Sequence, residues 1–270
     1  MTDLLARAYA FLERGDMHGN RTAPSSVGTA VYLDELPKRL DSNFLQVERD
    51  ADAPEIEAEA ARLDRQMIHV PDSQLGERLV PHFAERGWRV SRVTLMAQVR
   101  EPEKEADLSR VEEVAEEELR PARVALNAGQ PWGAPEVMEQ LFAGKHVIGR
   151  SMDVRFFAVK VDGEVVSYTD LYQDGSEAQV EDVGTLHEYR GRGYATAVTG
   201  AVTAELLRSC DQVALNVRSD NPPALAAYRR LGYAEHVRFD ERLAHRLGSP
   251  WPDITAPLRR LFTRKETDRR

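Results

Sequence analysis

The 270 residues include 36 lysines and arginines against 45 aspartates and glutamates, and the resulting net charge of -9 excludes a general nucleic-acid binder, which needs a broad basic face. One cysteine, Cys210, leaves no internal disulfide and no cysteine-rich metal site, and the seven histidines are scattered without ligand spacing, so no metal is expected. With 42% hydrophobic residues the chain can fill a core, and its length points to two domains or one enlarged domain.

Residues 1–14 alternate apolar and charged residues at helical spacing, without the basic start and unbroken apolar run of a signal peptide. Nothing later is long and apolar enough to span a membrane, so no membrane partner is expected, and the single cysteine points to a cytoplasmic setting. Strands are predicted at 30–33 and 44–48 around a turn at 37–43, then a helix at 54–67, a short strand at 68–70, a helix at 74–86 and a strand at 88–99. Residues 108–128 read as one helix, with Val111, Val114, Ala115 and Leu119 on one side and glutamates opposite. A proline- and glycine-rich loop at 129–135 leads to a second short helix at 135–142. Strands at 156–161 and 164–172 are joined by Asp162-Gly163, a strong hairpin signal, and a third strand follows at 178–185. Then come a glycine turn, a helix at 194–207, a strand at 213–217, a helix opening at Asn221 and a last strand at 233–239. The fold class is α/β (α+β).

The turn before the helix at 194–207 has the make-up of an anion cradle. Gly191 and Gly193 let backbone N–H groups approach a charged group without a Cβ in the way, and the helix start offers unpaired amides and the positive dipole end. Arg190 and Arg192 add side-chain charge. No Gly-Lys-Ser or Gly-Lys-Thr ending is present, and Gly191 and Gly193 are followed by Thr196 rather than the third glycine of a dinucleotide loop. The remaining pattern, Arg-x-x-Gly-x-Ala at 190–195, resembles the acetyl-CoA pyrophosphate loop of the Gcn5-related N-acetyltransferase (GNAT) superfamily. The resemblance continues through the strand at 213–217 to Asn221, Ala224, Tyr228, Gly232 and Tyr233, and covers roughly residues 100–243.

That resemblance implies a GNAT fold, a mixed twisted sheet flanked by helices, with acetyl-CoA as cosubstrate. It also implies that Arg190, Gly191, Arg192, Gly193, Tyr194, Ala195 and Thr196 hold the pyrophosphate. The backbone of Val183, Gly184 and Thr185 would pair with the pantetheine arm on a locally bulged strand, and Asn221 and Tyr228 would contact the cofactor. Trp132, Tyr168 and Asp170, with Arg155 and Tyr172, fall on the loop and strands where the fold builds its acceptor pocket. The acceptor is then a small-molecule or peptide amine.

Acetyl transfer to an amine needs a carboxylate to take a proton and an acid for the departing thiolate. Tyr228 is the acid candidate. Glu181 and Asp182 are consecutive on one strand, so strict alternation sends one to each face; Glu181 is favoured as base, with Asp182 close behind, and a bulge would upset that parity. His187 reads as a surface residue, and Cys210 has no cationic neighbour that would activate it. The leading reading is direct N-acetyl transfer in a ternary complex; the alternative is a non-catalytic acyl-CoA-binding sensor or regulatory protein.

The first half repeats the succession of the second. Phe83 with Gly87-Trp88 has the spacing of Tyr228 with Gly232-Tyr233, but no counterpart of the glycine-arginine turn is present. The expected organisation is a degenerate, partial GNAT-like domain at 1–95 without a cofactor site, a catalytic domain at 96–243 and a tail at 244–270. An unrelated α/β cap with an ordinary helix stop is the other reading of the first half. Basic residues from Arg259 to Arg270 read as a solvated end.

Overall fold

The computed structural model describes residues 2–17, 20–100, 108–130 and 132–246. The basic residues of the tail lie outside them. The elements run α1 (Thr2–Met17), β1 (Arg21–Pro24), β2 (Gly28–Tyr32), β3 (Phe44–Val47), α2 (Ala53–Arg62), β4 (Met67–Val70), α3 (Ser73–Glu85) and β5 (Trp88–Gln98). After them come β6 (Val111–Val114), α4 (Glu116–Asn127), α5 (Pro135–Ile148), β7 (Asp153–Val161), β8 (Glu164–Asp174), β9 (Glu177–Thr185), α6 (Tyr194–Leu206), β10 (Gln212–Arg218), α7 (Pro222–Arg230) and β11 (Tyr233–Arg246). Helix starts follow local chemistry: Asp52, Asp72 and Asn221 cap α2, α3 and α7 with side-chain oxygens, and prolines occupy the first turns of α2, α5 and α7.

Among the described residues the strands form one eleven-stranded mixed sheet in the order β1-β2-β3-β4-β11-β5-β10-β9-β8-β7-β6. Two parallel pairs, β3 with β4 and β9 with β10, stand on either side of the central antiparallel pair β11 and β5. Each half lends its last strand to the other: β5 lies beside β10, and β11 lies beside β4. One apolar cluster packs α6 and α7 on the second half of the sheet through Val198, Val202, Leu206, Leu225 and Tyr228. Another packs α2 and α3 on the first half through Ile56, Ala60, Leu75, Leu79 and Phe83.

Two expectations need correction. Residues 108–128 are not one helix, because Val111–Val114 pairs antiparallel with β7, Val111 opposite Val159 and Val114 opposite Phe156. A spacing of three suits a helix face, but both valines are β-branched and find a strand edge. Helix α5 runs past 142 to Ile148; Gly144 inside it admits the Arg39 side chain, whose Nη1 would stand 1.5 Å from an added Cβ. The boundary at 95 falls within β5, which belongs to the sheet of both halves, and the boundary at 244 falls within β11. The edge strand β1, short and polar, had no sequence signal.

Candidate active site

Strands β9 and β10 are paired from Glu177 with Gln212 to Val180 with Leu215 and then part. The cause is on β9. Its register to β8 slips between Asp170 with Glu181 and Tyr168 with Gly184, and Asp182 takes a left-handed φ of 52°, so Asp182 and Val183 together face a single β8 residue. Gly184 sits over the Tyr168 ring, where an added Cβ would come within 2.4 Å of the ring carbon Cζ. Thr169 Oγ1 donates to the Glu181 carbonyl at 2.9 Å, and Ser167 Oγ to that of Gly184 at 2.9 Å, which fixes the bulged segment.

The turn after β9 is shaped by two left-handed glycines, Gly191 at φ 76° and Gly193 at φ 82°. Nothing lies within 4 Å of a Cβ added at either, so backbone conformation rather than crowding demands glycine here. Gly193 caps α6 without a side-chain hydrogen bond, leaving the first-turn amides of Tyr194, Ala195 and Thr196 to an outside acceptor. Arg190 and Arg192 are exposed; Arg190 Nε donates to the Thr185 carbonyl at 3.3 Å, and Arg192 stands 5.3 Å from the Tyr189 ring centroid. These residues fit a pyrophosphate: free amides, a positive helix end and two exposed guanidinium groups converge on one turn. Asn221, at the start of α7, spends its oxygen on the Ala224 N–H at 3.3 Å. Tyr228 is buried edge-on to Tyr233, with ring centroids 6.2 Å apart. Burial, and then the Glu181 charge, push its hydroxyl above the ordinary tyrosine range, so it keeps its proton at neutral pH.

On the other side of the parted strands lies a cavity of about 500 Å³ whose wall comes from both halves of the chain. The first half supplies Arg39, Asp41, His69 and Arg89; the second supplies Arg123, Asn127, Trp132, Phe142, Lys145, Tyr172, Gln179, Glu181, Asp182 and Asn216. Burial pushes the Glu181 carboxyl up to about 7, helped by the Asp182 and Asp170 charges and opposed by Lys145. Gln179 Nε2 donates to it. Asp182 differs from its neighbour: Arg123 Nε lies 3.1 Å and Lys145 Nζ 3.7 Å from its carboxylate. Below them Asp170 is fully buried, bound by Arg123 and by Lys145 at 2.8 Å. Burial pulls the Lys145 ammonium down, but Asp170, Tyr172 and Asp182 more than offset it and hold the group charged. Its Nζ also donates to Tyr172 Oη at 2.7 Å.

Because of the bulge, Glu181 and Asp182 both line the cavity instead of facing opposite ways. Trp132 and Tyr172 line it as well. Tyr168 and Asp170 do not: Tyr168 packs with Leu119 and Ala122, and Asp170 is the buried counter-ion of Arg123 and Lys145. Arg155 is tied to Glu113 at 2.7 Å and Glu205 at 3.5 Å, away from the cavity wall. Sequence reasoning missed Arg123, Lys145, Arg39 and Arg89. Arg123 had a signal, since it breaks the apolar stripe of α4 beside Leu119 and Ala122. The other three come from distant segments that only the tertiary fold assembles.

No helix among the described residues is long and apolar enough to cross a membrane, and none of their His, Cys, Asp and Glu side chains cluster in a way that could hold a metal. Residues 112–233 match the family described as "Acetyltransferase (GNAT) family". The fold is similar to that of a GCN5-related N-acetyltransferase from Kribbella flavida, with 19% identity over 91% of this chain and 96% of that one and a TM-score of 0.53. A functionally unknown conserved protein from Staphylococcus epidermidis ATCC 12228 gives a TM-score of 0.59 at 15% identity, covering 84% of this chain and 93% of that one. A GNAT-family protein from Novosphingobium aromaticivorans DSM 12444 is 21% identical, with a TM-score of 0.43 over 59% of this chain and 66% of that one.

Proposed function

Since the chain carries a domain of the acetyltransferase (GNAT) family at residues 112–233, we propose that it transfers an acetyl group from acetyl-CoA to a primary amine, by direct transfer in a ternary complex. What carries this reading is the place of Glu181: it follows the point where β9 and β10 part, lines the cavity, and its charge reaches Tyr228, while burial pushes its carboxyl up to about 7. The turn at 190–196 holds the pyrophosphate through backbone amides, and the bulged backbone of Val183 to Thr185 runs beside the pantetheine. The amine approaches from the cavity.

The reaction forms an N–C bond and breaks the thioester C–S bond. Glu181 accepts a proton from the amine nitrogen, directly or through a water, because a group near pKa 7 is substantially ionised at neutral pH yet basic enough to be useful. Tyr228 donates its proton to the departing sulfur and is reprotonated by the second proton that nitrogen loses; one proton is released overall. Asp182 is the weaker base candidate, since Arg123 and Lys145 already engage it. It positions Arg123 and Lys145 beside the base. In this reading the first half is a partial copy of the same unit that has no cofactor site and supplies one wall of the acceptor cavity.

The test is thiol release from acetyl-CoA across a panel of primary amines. Wild type turns over at least one of them, whereas Glu181→Gln does not while still binding acetyl-CoA in calorimetry. Failure of wild type to bind acetyl-CoA overturns the proposal.

A further inference from the structure

The charges that line the cavity can be paired off almost completely. Lys38 meets Glu136 at 3.5 Å, Arg39 meets Asp41 at 3.0 Å, Arg218 meets Asp220 at 2.6 Å, and Arg123 and Lys145 share Asp170 and Asp182. Two lining charges are left over. Among the described residues Arg89 has no carboxylate within ion-pair distance, and Glu181 has no cation within that distance. Asp220, whose charge reaches Arg89, is already held by two nitrogens of Arg218. Arg89 is half-buried, projects from β5, and its guanidinium carbon stands 5.2 Å from the centroid of the Trp132 ring. Stacking of this kind orients the flat guanidinium while leaving its edge N–H groups to a ligand.

We propose that the acceptor is zwitterionic, an amino acid or short peptide whose ammonium group goes to Glu181 and whose carboxylate is held by Arg89 over Trp132. This rests on the acetyl-transfer reading above. A ligand with one charge of each sign neutralises the leftover pair and leaves no buried charge unmatched, whereas a plain amine would leave Arg89 desolvated without a partner. The guanidinium fork matches a carboxylate with two parallel N–H donors, and a single surplus cation suits a monoanion better than a phosphate dianion. Val137, Met138, Leu141 and Phe142 give the same cavity an apolar wall for the side chain of such an acceptor.

The experiment compares amino acids and dipeptides with their carboxamides, and phosphoethanolamine with ethanolamine, as acceptors for the full chain with acetyl-CoA. Wild type is expected to prefer each amino acid or dipeptide to its carboxamide by ~10-fold or more in kcat/KM, the size of a charge-assisted hydrogen bond, and to prefer those acids to phosphoethanolamine. Arg89→Gln should abolish that preference by raising KM for the acids with kcat nearly unchanged, and Arg89→Lys should restore part of it. Arg92→Gln, which removes an exposed partner of Glu77 outside the cavity, should leave it intact. In parallel, calorimetry with N-acetyl amino acids and their amides reads the subsite without turnover. Acid-selective binding lost in Arg89→Gln, with no thiol released from any acceptor, would leave the subsite standing and overturn acetyl transfer. Amides turned over as well as acids, acids preferred equally by Arg89→Gln, or phosphoethanolamine preferred to every amino acid would overturn the carboxylate subsite while sparing acetyl transfer; neither binding nor turnover of any probe would overturn both.

Discussion

The two strand-to-helix turns that follow β3 and β9 occupy corresponding places beside their parallel partners, yet they treat the helix start in opposite ways. After β9, Gly193 caps α6 with no side chain; after β3, the Asp52 carboxylate caps α2 by accepting the Glu55 N–H at 2.8 Å. An aspartate there occupies one of the helix-start amides and puts a negative charge where a phosphate would sit. The helix that follows each pair differs in the same direction. Phe83 packs edge-on to Trp88 with centroids 5.4 Å apart, as Tyr228 does to Tyr233 at 6.2 Å, so the packing pair is present in both and the hydroxyl in one. On the proposed reading, a parallel strand pair with its helix does not suffice for cofactor chemistry, which also takes an uncapped helix start and a proton donor.

The largest effect is expected at the base. Glu181→Gln is expected to lower kcat by ~10³-fold, within the range for loss of a general base, with acetyl-CoA affinity unchanged. Wild-type activity should rise with pH through an apparent pKa of about 7, as Glu181 ionises, and the variant should lose that limb. Next in size, Tyr228→Phe should lower kcat by ~10²-fold, again without loss of acetyl-CoA affinity, because the hydroxyl acts mainly in the transition state. In the first half the hydroxyl is already absent, and Phe83→Tyr should leave turnover unchanged.

Smaller effects concern stability. The folded-state pKa of Glu181 is raised above its unfolded value, so its contribution is fully present below about pH 4.5 and is lost as pH rises through about 7. Glu181→Gln should accordingly stabilise the fold at pH 8 by up to about 3 kcal/mol, and much less at pH 4, when denaturant unfolding is compared at the two values. Asp52→Ala should cost about 1 kcal/mol through loss of the cap, with no change in activity. A loss of activity in Asp52→Ala would erase the distinction between the two turns.

Much of the second half was legible because its signals are local. Asp162 and Gly163 both adopt positive φ, 52° and 82°, as the hairpin turn between β7 and β8 requires, and the two cradle glycines fall in a turn where the sequence pattern puts them. The consecutive acids Glu181 and Asp182 were legible as candidates, but not their shared cavity, since a bulge leaves no mark in a residue pattern. Pairing was illegible for a related reason. Alternation identifies β5 and β11 as strands without saying that β11 is inserted between β4 and β5, or that Arg89 is thereby brought to a wall built by the other half.

Titrating acetyl-CoA into wild type, Gly193→Val and Asp52→Ala in a calorimeter counts the cofactor clefts per chain and locates them. A valine at φ 82° is strained and crowds the approach to the α6 amides, so one equivalent should bind to wild type and to Asp52→Ala, with affinity ~30-fold weaker or lost in Gly193→Val. Two equivalents per chain, or binding that Gly193→Val leaves unchanged and Asp52→Ala weakens, would contradict a single cleft at the α6 start.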